Sequence, residues 1–347
     1  MVLADLDRME TSNRQPPMPG PGTRVLVTGA TGFVGSHLMP ILARGGAQVL
    51  GGTRDVERAR RKKPGQEFVV FDLQQPDTVR AALQGCTHAV YLVHGMGKEQ
   101  HDYERAELDA AMTFRAAAAD AGVGRIVYLG GMRPAGTPSR HLRSRLATGE
   151  CLRAGQVPTI ELQATMVIGS GSESFRMVRD LSARLPGMLL PKWLRSRTQP
   201  IGIADVVHAI VLALRMDGSE SQAYPLPGPE ALTAREIIER TASLLGRRPY
   251  TIEVPLVTPW LSTHWIRLVT RSDPRVAAEL VEGLRTDILA ADDGFWRLVP
   301  GHRRQSFDEA VRVALVGEAE ELSRAAVLVE DAAEWLTPKD DRATPPS

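Results

Sequence analysis

Cysteine is scarce in this chain of 347 residues, which contains only Cys86 and Cys151. The two cysteines lie far apart and form no Cys-x-x-Cys pair, so neither a disulfide framework nor a structural zinc site is indicated. The eight histidines form no cluster with metal-ligand spacing, and we expect no metal site. A reducing cytoplasm is the expected location.

Neither sign of charge is in excess, since 42 lysines and arginines face 41 aspartates and glutamates. The chain therefore lacks an overall field that would attract nucleic acid or an anionic membrane surface. No apolar run approaches the ~18 residues that a membrane-spanning helix needs. The predicted partner is a small-molecule substrate, with no nucleic acid and no membrane span.

The length and the 43% hydrophobic content allow an α/β core and a smaller second lobe. The proline-containing start predicts a flexible leader over residues 1–22, followed by a nucleotide-binding domain over residues 23–170. Residues 171–337 are predicted to form a C-terminal substrate lobe with elements that return to the sheet. The polar residues 338–347 are expected to form a mobile tail.

Short apolar strands alternate with helical patterns through the first half of the chain. Strands are predicted at residues 25–27, 48–53, 68–71, 89–93, 125–129 and 159–163. Because helices separate these strands, we expect an α/β fold with a doubly wound parallel sheet. Further on, residues 224–228 are predicted to form a turn, and Thr233 with Glu236 predicts a capping box that opens a helix.

A glycine-rich turn directly follows the first predicted strand. Residues 28–35 read Thr-Gly-Ala-Thr-Gly-Phe-Val-Gly and precede a helical pattern. Gly29 permits the tight turn, Gly32 lets backbone N–H groups approach phosphates, and Gly35 lets the helix pack close to the strand. Glycine is also common in structural turns. Here the order of strand, turn and helix predicts the pyrophosphate site of a dinucleotide-binding fold.

The Gly-x-x-Gly-x-x-Gly spacing resembles the short-chain dehydrogenase/reductase superfamily, particularly its extended and atypical branches. These branches include NmrA-like proteins and proteins similar to NAD-dependent epimerases and dehydratases. The resemblance covers most of residues 24–245. It implies a Rossmann-like sheet with a smaller C-terminal substrate lobe and an NAD(P) cofactor. It also leaves a homo-oligomer open, because members often pair through helices that flank the sheet.

The end of the second strand distinguishes the two dinucleotides, since an acidic residue there favours NAD and a basic residue favours NADP. Thr53 occupies the acidic position and Arg54 follows it, which favours NADP. A register error of two residues would place Asp55 there and favour NAD. Asp72 is a candidate acceptor for the adenine amino group, or a turn residue. The predicted cofactor contacts come from Gly29, Thr31, Gly32, Phe33, Val34, Gly35, Thr53, Arg54, Asp72, Leu73, Val93 and Val167.

The resemblance also implies a serine after the fifth strand and a Tyr-x-x-x-Lys motif on the next helix. Here Gly130 and Gly131 stand at the serine position, His141 at the tyrosine position and Arg145 at the lysine position. Arginine keeps the cation that would bridge ribose hydroxyls, although its fork is not equivalent to an ammonium. Histidine is a general acid or base near neutral pH, and an exposed residue at a helix start is the alternative interpretation. His94, after the fourth strand, is a second candidate proton donor.

Three functions follow from these patterns. The first is an NAD(P)-dependent oxidoreductase that transfers a hydride between nicotinamide and a small carbonyl or activated double bond. The second is a non-catalytic NADP(H)-binding sensor or accessory protein, which the missing serine, tyrosine and lysine favour. The third is a sugar-nucleotide epimerase or dehydratase, which is weaker because those enzymes normally depend on the tyrosine.

Overall fold

A computed structural model describes residues 22–93, 103–184, 187–191, 195–247, 250–254 and 286–336. The leader except Gly22, the tail and His94 lie outside these residues. The strands of the described part are β1 (Arg24–Thr28), β2 (Gln48–Thr53), β3 (Glu67–Val70), β4 (His88–Tyr91), β5 (Arg125–Gly131), β6 (Thr159–Ala164), β7 (Val167–Ile168), β8 (Gly187–Pro191), β9 (Arg197–Thr198), β10 (Ile201–Gly202), β11 (Gln222–Pro225), β12 (Leu232–Thr233) and β13 (Tyr250–Val254).

Seven of these strands form the central sheet, in the order β11-β6-β5-β4-β1-β2-β3. Every neighbouring pair in this sheet is parallel. The remaining strands form two-stranded pairs, β7 with β10, β8 with β13 and β9 with β12. The sequence prediction of a parallel sheet is confirmed, and the carboxyl ends of all seven strands lie at one edge.

Helices connect the strands and cover the sheet. In the described residues they are α1 (Phe33–Arg44), α2 (Val56–Lys62), α3 (Pro76–Leu83), α4 (Tyr103–Asp120), α5 (Arg140–Arg153), α6 (Glu173–Arg184), α7 (Ile203–Ala213), α8 (Ala234–Leu244), a 3₁₀ helix (Gly294–Leu298) and α9 (Phe307–Leu336). This alternation of strands and helices is the Rossmann-like arrangement that the sequence predicts.

The side chains of β1 show why both faces of the sheet are covered. Val25 and Val27 are fully buried in a cluster that includes Ile210 of α7. Leu26, which points to the opposite face, is buried in a second cluster with Phe114 of α4. Successive residues of a strand face opposite sides. An uninterrupted apolar strand is therefore stable only between two layers of helices, which is a doubly wound sheet.

Within the described residues, the second half of the chain contributes one strand, β11, to the central sheet. The turn predicted over residues 224–228 is wrong for Tyr224 and Pro225, because both residues lie in β11, which pairs with β6. Prolines misled this prediction. An edge strand tolerates proline since half of its backbone groups need no partner in the sheet, and β11 is an edge strand.

Three of the C-terminal helices share a core of their own, separate from the two faces of the sheet. It contains Phe175 of α6, Ile237 of α8 and Val311 of α9. The capping box is confirmed, since Thr233 accepts from the Glu236 backbone and the Glu236 carboxylate accepts from the Thr233 N–H. The predicted boundary of the substrate lobe near residue 170 stays a prediction.

Candidate functional site at the carboxyl edge of the sheet

The glycine-rich turn joins β1 to α1 in the geometry that the sequence predicts. Gly29 has a φ of +62°, a conformation that disfavours side chains. The N–H of Gly32 donates to the carbonyl of Gly29 at 2.9 Å and closes the turn. A Cβ on Gly35 would lie 2.5 Å from the Gly29 oxygen and 2.8 Å from Cα of Ala30. Glycine at position 35 therefore permits the close contact between turn and helix.

The first turn of α1 is well suited to an anion. Thr31 and Gly32 are exposed, whereas Phe33 and Val34 are half-buried and pack on the core. Within the described residues, no side chain caps this helix, and its first turn contains no acidic residue. The first N–H groups of a helix lack partners inside the helix and attract negative charge. These residues fit the pyrophosphate of a dinucleotide.

The two charged residues that directly follow β2 have different surroundings. Arg54 is exposed directly after Thr53, the last residue of the strand. The carboxylate of Asp55 accepts from the backbone N–H of Arg58 at 2.9 Å and caps α2. Asp55 therefore serves as a helix cap, and the contact of Arg54 with the adenosine ribose stays a prediction.

The surroundings of Asp72 are compatible with both interpretations that the sequence left open. Its Oδ1 accepts from the N–H of Gln74 at 3.1 Å, which is the contact of a turn residue. The side chain is nevertheless only half-buried, and a carboxylate accepts several hydrogen bonds at once. The structure therefore explains Asp72 without a ligand, and its contact with adenine stays a prediction.

Three apolar residues predicted to contact the cofactor follow strands or lie close to strand ends. Leu73 and Val93 are half-buried and pack against the core face that contains Phe114. Val167 in β7 packs against the opposite face. The neighbouring residue Leu92 donates its N–H to Oγ1 of Thr28 at 2.9 Å, which joins the ends of β4 and β1. Contacts between these side chains and a cofactor stay predictions.

His141 and Arg145 lie one turn apart at the start of α5, as the predicted register requires. Nη2 of Arg145 donates to the carbonyl of Leu129 at 2.8 Å, so the guanidinium reaches the carboxyl end of β5. A Cβ on Gly131 would lie 2.5 Å from Cδ1 of Leu142 and 3.5 Å from Nε of Arg145. The glycine at position 131 therefore lets α5 bring these side chains close to the strand end.

The imidazole of His141 is electrically neutral at pH 7. Burial, and secondarily the charge of Arg145, lowers its pKa from 6.5 to about 3. A neutral imidazole still forms hydrogen bonds, but it does not carry the extra proton that an acid catalyst near neutral pH would release. Its role as a proton donor stays a prediction, as does that of His94.

A buried carboxylate beneath this edge was missed by sequence reasoning. Glu161 in β6 is fully buried, and its Oε2 accepts from Nε of Arg153 at 2.8 Å. A Cβ on Gly130 or Gly149 would lie 2.6 or 2.4 Å from Oε1 of Glu161. Burial raises the pKa of this carboxyl group. The two glycines therefore make room for a structural ion pair, a role that no local pattern indicates.

A short segment of the distant chain also reaches this edge. The N–H of Ala135, in the connection after β5, donates to the carbonyl of Asp287 at 3.0 Å. The Asp287 carboxylate in turn accepts from the backbone N–H of Arg197 at 2.8 Å and from its guanidinium at 3.1 Å. Asp287 thus joins the loop before α5 to β9, and nothing in the local sequence predicts this contact.

Comparison with known proteins agrees with this geometry. Residues 29–154 match the model of an NAD(P)H-binding family. The chain is 30% identical over 232 residues to the (4-alkanoyl-5-oxo-2,5-dihydrofuran-3-yl)methyl phosphate reductase of Streptomyces griseus, covering 64% of this chain and 74% of the reductase. It is also 30% identical over 251 residues to the Arabidopsis thaliana mitochondrial NADH dehydrogenase [ubiquinone] 1 alpha subcomplex subunit 9. That alignment covers 67% of this chain and 61% of the subunit.

A solved structure shares the fold. The Citrobacter sp. triphenylmethane reductase complexed with NADP(H) superposes with a TM-score of 0.66 at 18% identity, covering 84% of this chain and 99% of the reductase. Fold and site define a dinucleotide-binding protein of the Rossmann type. The chain belongs to the NAD(P)H-binding oxidoreductases of the atypical short-chain dehydrogenase/reductase superfamily, as the sequence predicts. Among the described helices, none is both long and apolar enough to cross a membrane.

Proposed function

We propose that the chain is an NADP(H)-dependent oxidoreductase that transfers a hydride between nicotinamide and a small carbonyl compound or activated double bond. One spatial relationship carries this proposal. The glycine-rich turn after β1 and the guanidinium of Arg145 beside β5 lie at the same edge of a parallel sheet. Ligands of such sheets bind outside the carboxyl ends of the strands, so a dinucleotide held by the turn can reach Arg145.

Two observations support NADP as the cofactor, with NAD as the alternative. Arg54 is exposed at the strand end where the adenosine ribose is expected. The carboxylate of Asp55 caps α2 by accepting from the backbone N–H of Arg58. A guanidinium favours the additional phosphate of NADP, because it forms charge-assisted hydrogen bonds with phosphate oxygens.

Where the nicotinamide is expected to bind, Arg145 and His141 orient ligands more than they exchange protons. When bound, the reduced cofactor supplies the hydride. Arg145 provides a fixed positive charge that its bond to Leu129 holds at the strand end. His141 provides a neutral hydrogen-bonding group at pH 7. We propose His94 as the second candidate donor of the proton.

A non-catalytic NADP(H)-binding protein is the second candidate function. The neutral state of His141 and the replacement of tyrosine and lysine by His141 and Arg145 favour it. A subunit of the mitochondrial NADH dehydrogenase is among the relatives. A sugar-nucleotide epimerase or dehydratase receives less support, because the resemblance implies a tyrosine for that chemistry.

The remaining proposals concern location and organisation. Cys86 and Cys151 are both buried as unpaired thiols, which supports the proposed reducing cytoplasm. We also propose that the residues after about 170 form the substrate lobe, since α6, α8 and α9 share one core. The predicted partner is a small organic molecule.

The experiment begins with the purified protein and its bound nucleotide. NADPH or NADH is added with quinones, enones and ketones, and loss of reduced-nicotinamide absorbance is followed. We expect consumption with NADPH and at least one substrate. Tight binding without consumption across the panel would support the non-catalytic candidate. Turnover that survives His141→Ala combined with His94→Ala would overturn both proposed proton donors.

A further inference from the structure

We propose that the guanidinium of Arg145 holds the oxyanion that forms when the substrate accepts a hydride, and that the substrate is a conjugated carbonyl such as an enone or a quinone. This inference rests on the proposed hydride transfer and narrows its substrate class. An isolated ketone is a poorer substrate for the same site, because the alkoxide that it forms requires immediate protonation.

Arg145 is held from two directions. Its backbone carbonyl accepts from the hydroxyl of Tyr128 at 3.0 Å, and its Nη2 donates to the carbonyl of Leu129 at 2.8 Å. Both contacts come from β5, so the guanidinium keeps one position relative to the strand end. A donor that is already positioned loses little freedom when it binds a developing charge, which makes it effective in catalysis.

One donor of this guanidinium has no acceptor. In the part of the chain that the structure describes, Nε of Arg145 is buried and has no hydrogen-bond partner. A buried polar group without a partner is costly, so a movement of the surrounding side chains that admits a substrate oxygen would give this nitrogen an acceptor. Gly131 places no side chain beside this atom, and Leu142 contributes an apolar neighbour. Charge interactions are stronger in such surroundings than in water.

The proton donors nearby restrict the substrate. A guanidinium stays charged in proteins and does not act as an acid. The hydroxyl of Tyr128 is buried and donates to Arg145, and burial raises its pKa. The imidazole of His141 is neutral at pH 7. This part of the site therefore stabilises negative charge better than it supplies a proton in the same step.

A site that stabilises negative charge better than it supplies a proton distinguishes two kinds of carbonyl substrate. Hydride addition to an isolated ketone produces an alkoxide, a very strong base that requires immediate protonation. In an enone, the hydride forms a C–H bond at the β carbon, the electrons of the C=C bond move towards oxygen, and an enolate results. In a quinone, the product is a phenolate, whose conjugate acid has a pKa of about 10. Such anions persist beside Arg145 until water or the proposed donor His94 delivers the proton, while the nicotinamide is oxidised.

The test uses 4-nitrophenol, whose phenolate form absorbs visible light and whose oxygen imitates the reduced substrate. The dye is titrated with pH in the presence of protein loaded with oxidised NADP. We expect the wild type to lower the pKa of the bound dye and to bind the phenolate at least ~10-fold more tightly than Arg145→Gln does. Arg145→Lys, which keeps the charge, should retain part of the effect.

A matched control lies on the same helix. Arg143 is exposed and its guanidinium donates to Glu104 at 3.2 Å, so Arg143→Gln should leave dye ionisation unchanged. Circular dichroism and nucleotide binding verify that each variant folds. Equal dye ionisation in the wild type and Arg145→Gln would overturn the proposed oxyanion site even if the protein reduces substrates. Reduction of isolated ketones as fast as enones would overturn the substrate class.

The outcome for the proposed function is separate. Dye ionisation that depends on Arg145, with no consumption of NADPH for any substrate, would support the oxyanion site and contradict the oxidoreductase. Consumption of NADPH with enones, reduced at least ~10-fold in Arg145→Gln but not in Arg143→Gln, would support both.

Discussion

Asp205 and His302 lie 97 positions apart in the chain, and Nε2 of His302 contacts Oδ1 of Asp205 at 2.8 Å. The other carboxylate oxygen accepts from the backbone N–H of Gln305 at 3.0 Å. The His302 ring stacks on His208 at 4.3 Å and on Trp296 at 4.9 Å between ring centroids. Asp205 therefore fastens the segment that precedes α9 to the first turn of α7.

Removing this carboxylate should destabilise the fold. Asp205 is 2% exposed, so Asp205→Ala would leave two partly buried donors without an acceptor and should lower the free energy of unfolding by about 3 kcal/mol. Denaturant unfolding measures the change. Asp120→Ala is the control, since that residue is exposed at the end of α4 and its loss should cost less than about 0.5 kcal/mol. Equal stability of Asp205→Ala and the wild type would show that the contact is not important for folding.

A side chain at position 35 should disrupt cofactor binding. In Gly35→Ala the new Cβ would meet the Gly29 oxygen at 2.5 Å, so the turn and α1 must move apart and the phosphate site changes shape. We expect the affinity for NADPH to fall at least ~10-fold in a fluorescence titration. In Gly124→Ala the nearest atom to the new Cβ is the Thr87 oxygen at 3.4 Å, an ordinary contact. That variant should bind NADPH normally, and normal binding by Gly35→Ala would contradict the assigned phosphate site.

Nucleotide preference should depend on Arg54 and not on Asp55. Arg54→Ala removes the cation beside the expected 2′-phosphate and should reduce the preference for NADPH over NADH by ~10-fold or more. Asp55→Ser keeps an oxygen that can cap α2, so its affinity ratio should match that of the wild type. Titrations with both nucleotides measure the ratios. An unchanged ratio in Arg54→Ala, or a changed one in Asp55→Ser, would favour the shifted register and NAD.

Acid should destabilise the protein through two partly buried histidines. Burial, followed by neighbouring charge, lowers the pKa of His141 from 6.5 to about 3 and that of His208 from 6.5 to about 4. Below the unfolded value the unfolded chain binds protons that the folded chain excludes, so stability is present above pH ~6.5 and is lost as pH falls towards the folded values. At pH ~5 His141 should cost on the order of 1–2 kcal/mol. His208 should cost less, because solvent screens its less buried ring.

Unfolding curves at several pH values test this loss in the wild type and in His141→Gln. The variant removes one titrating group, so its stability should fall less steeply between pH ~6.5 and ~4. Burial also lowers the pKa of His88, so the variant should still lose some stability in acid. If His141→Gln and the wild type lose stability with the same slope, the imidazole of His141 is not excluded from protonation in the folded state.

Parts of both halves of the chain could be predicted because their signals are local. The tight turn at Gly29, the close approach at Gly35 and the capping box at Thr233 each require particular residues within a few positions. The places where prediction failed lack such signals. Pro225 looks like a turn residue unless its position on an edge strand is known, and Gly130 gives no indication that it makes room for the Glu161 carboxylate.

The sequence by itself determined the order of strands and helices as far as β6, the glycine-rich turn and the alignment of His141 and Arg145 on α5, because side-chain periodicity and glycine spacing act over short distances. Tertiary structure alone decided that Asp287 reaches the loop before α5, that Asp205 binds His302 and that His141 is neutral. These properties depend on burial and on contacts between distant segments. Packing sets both, since it decides which polar groups lose water and which partners replace it.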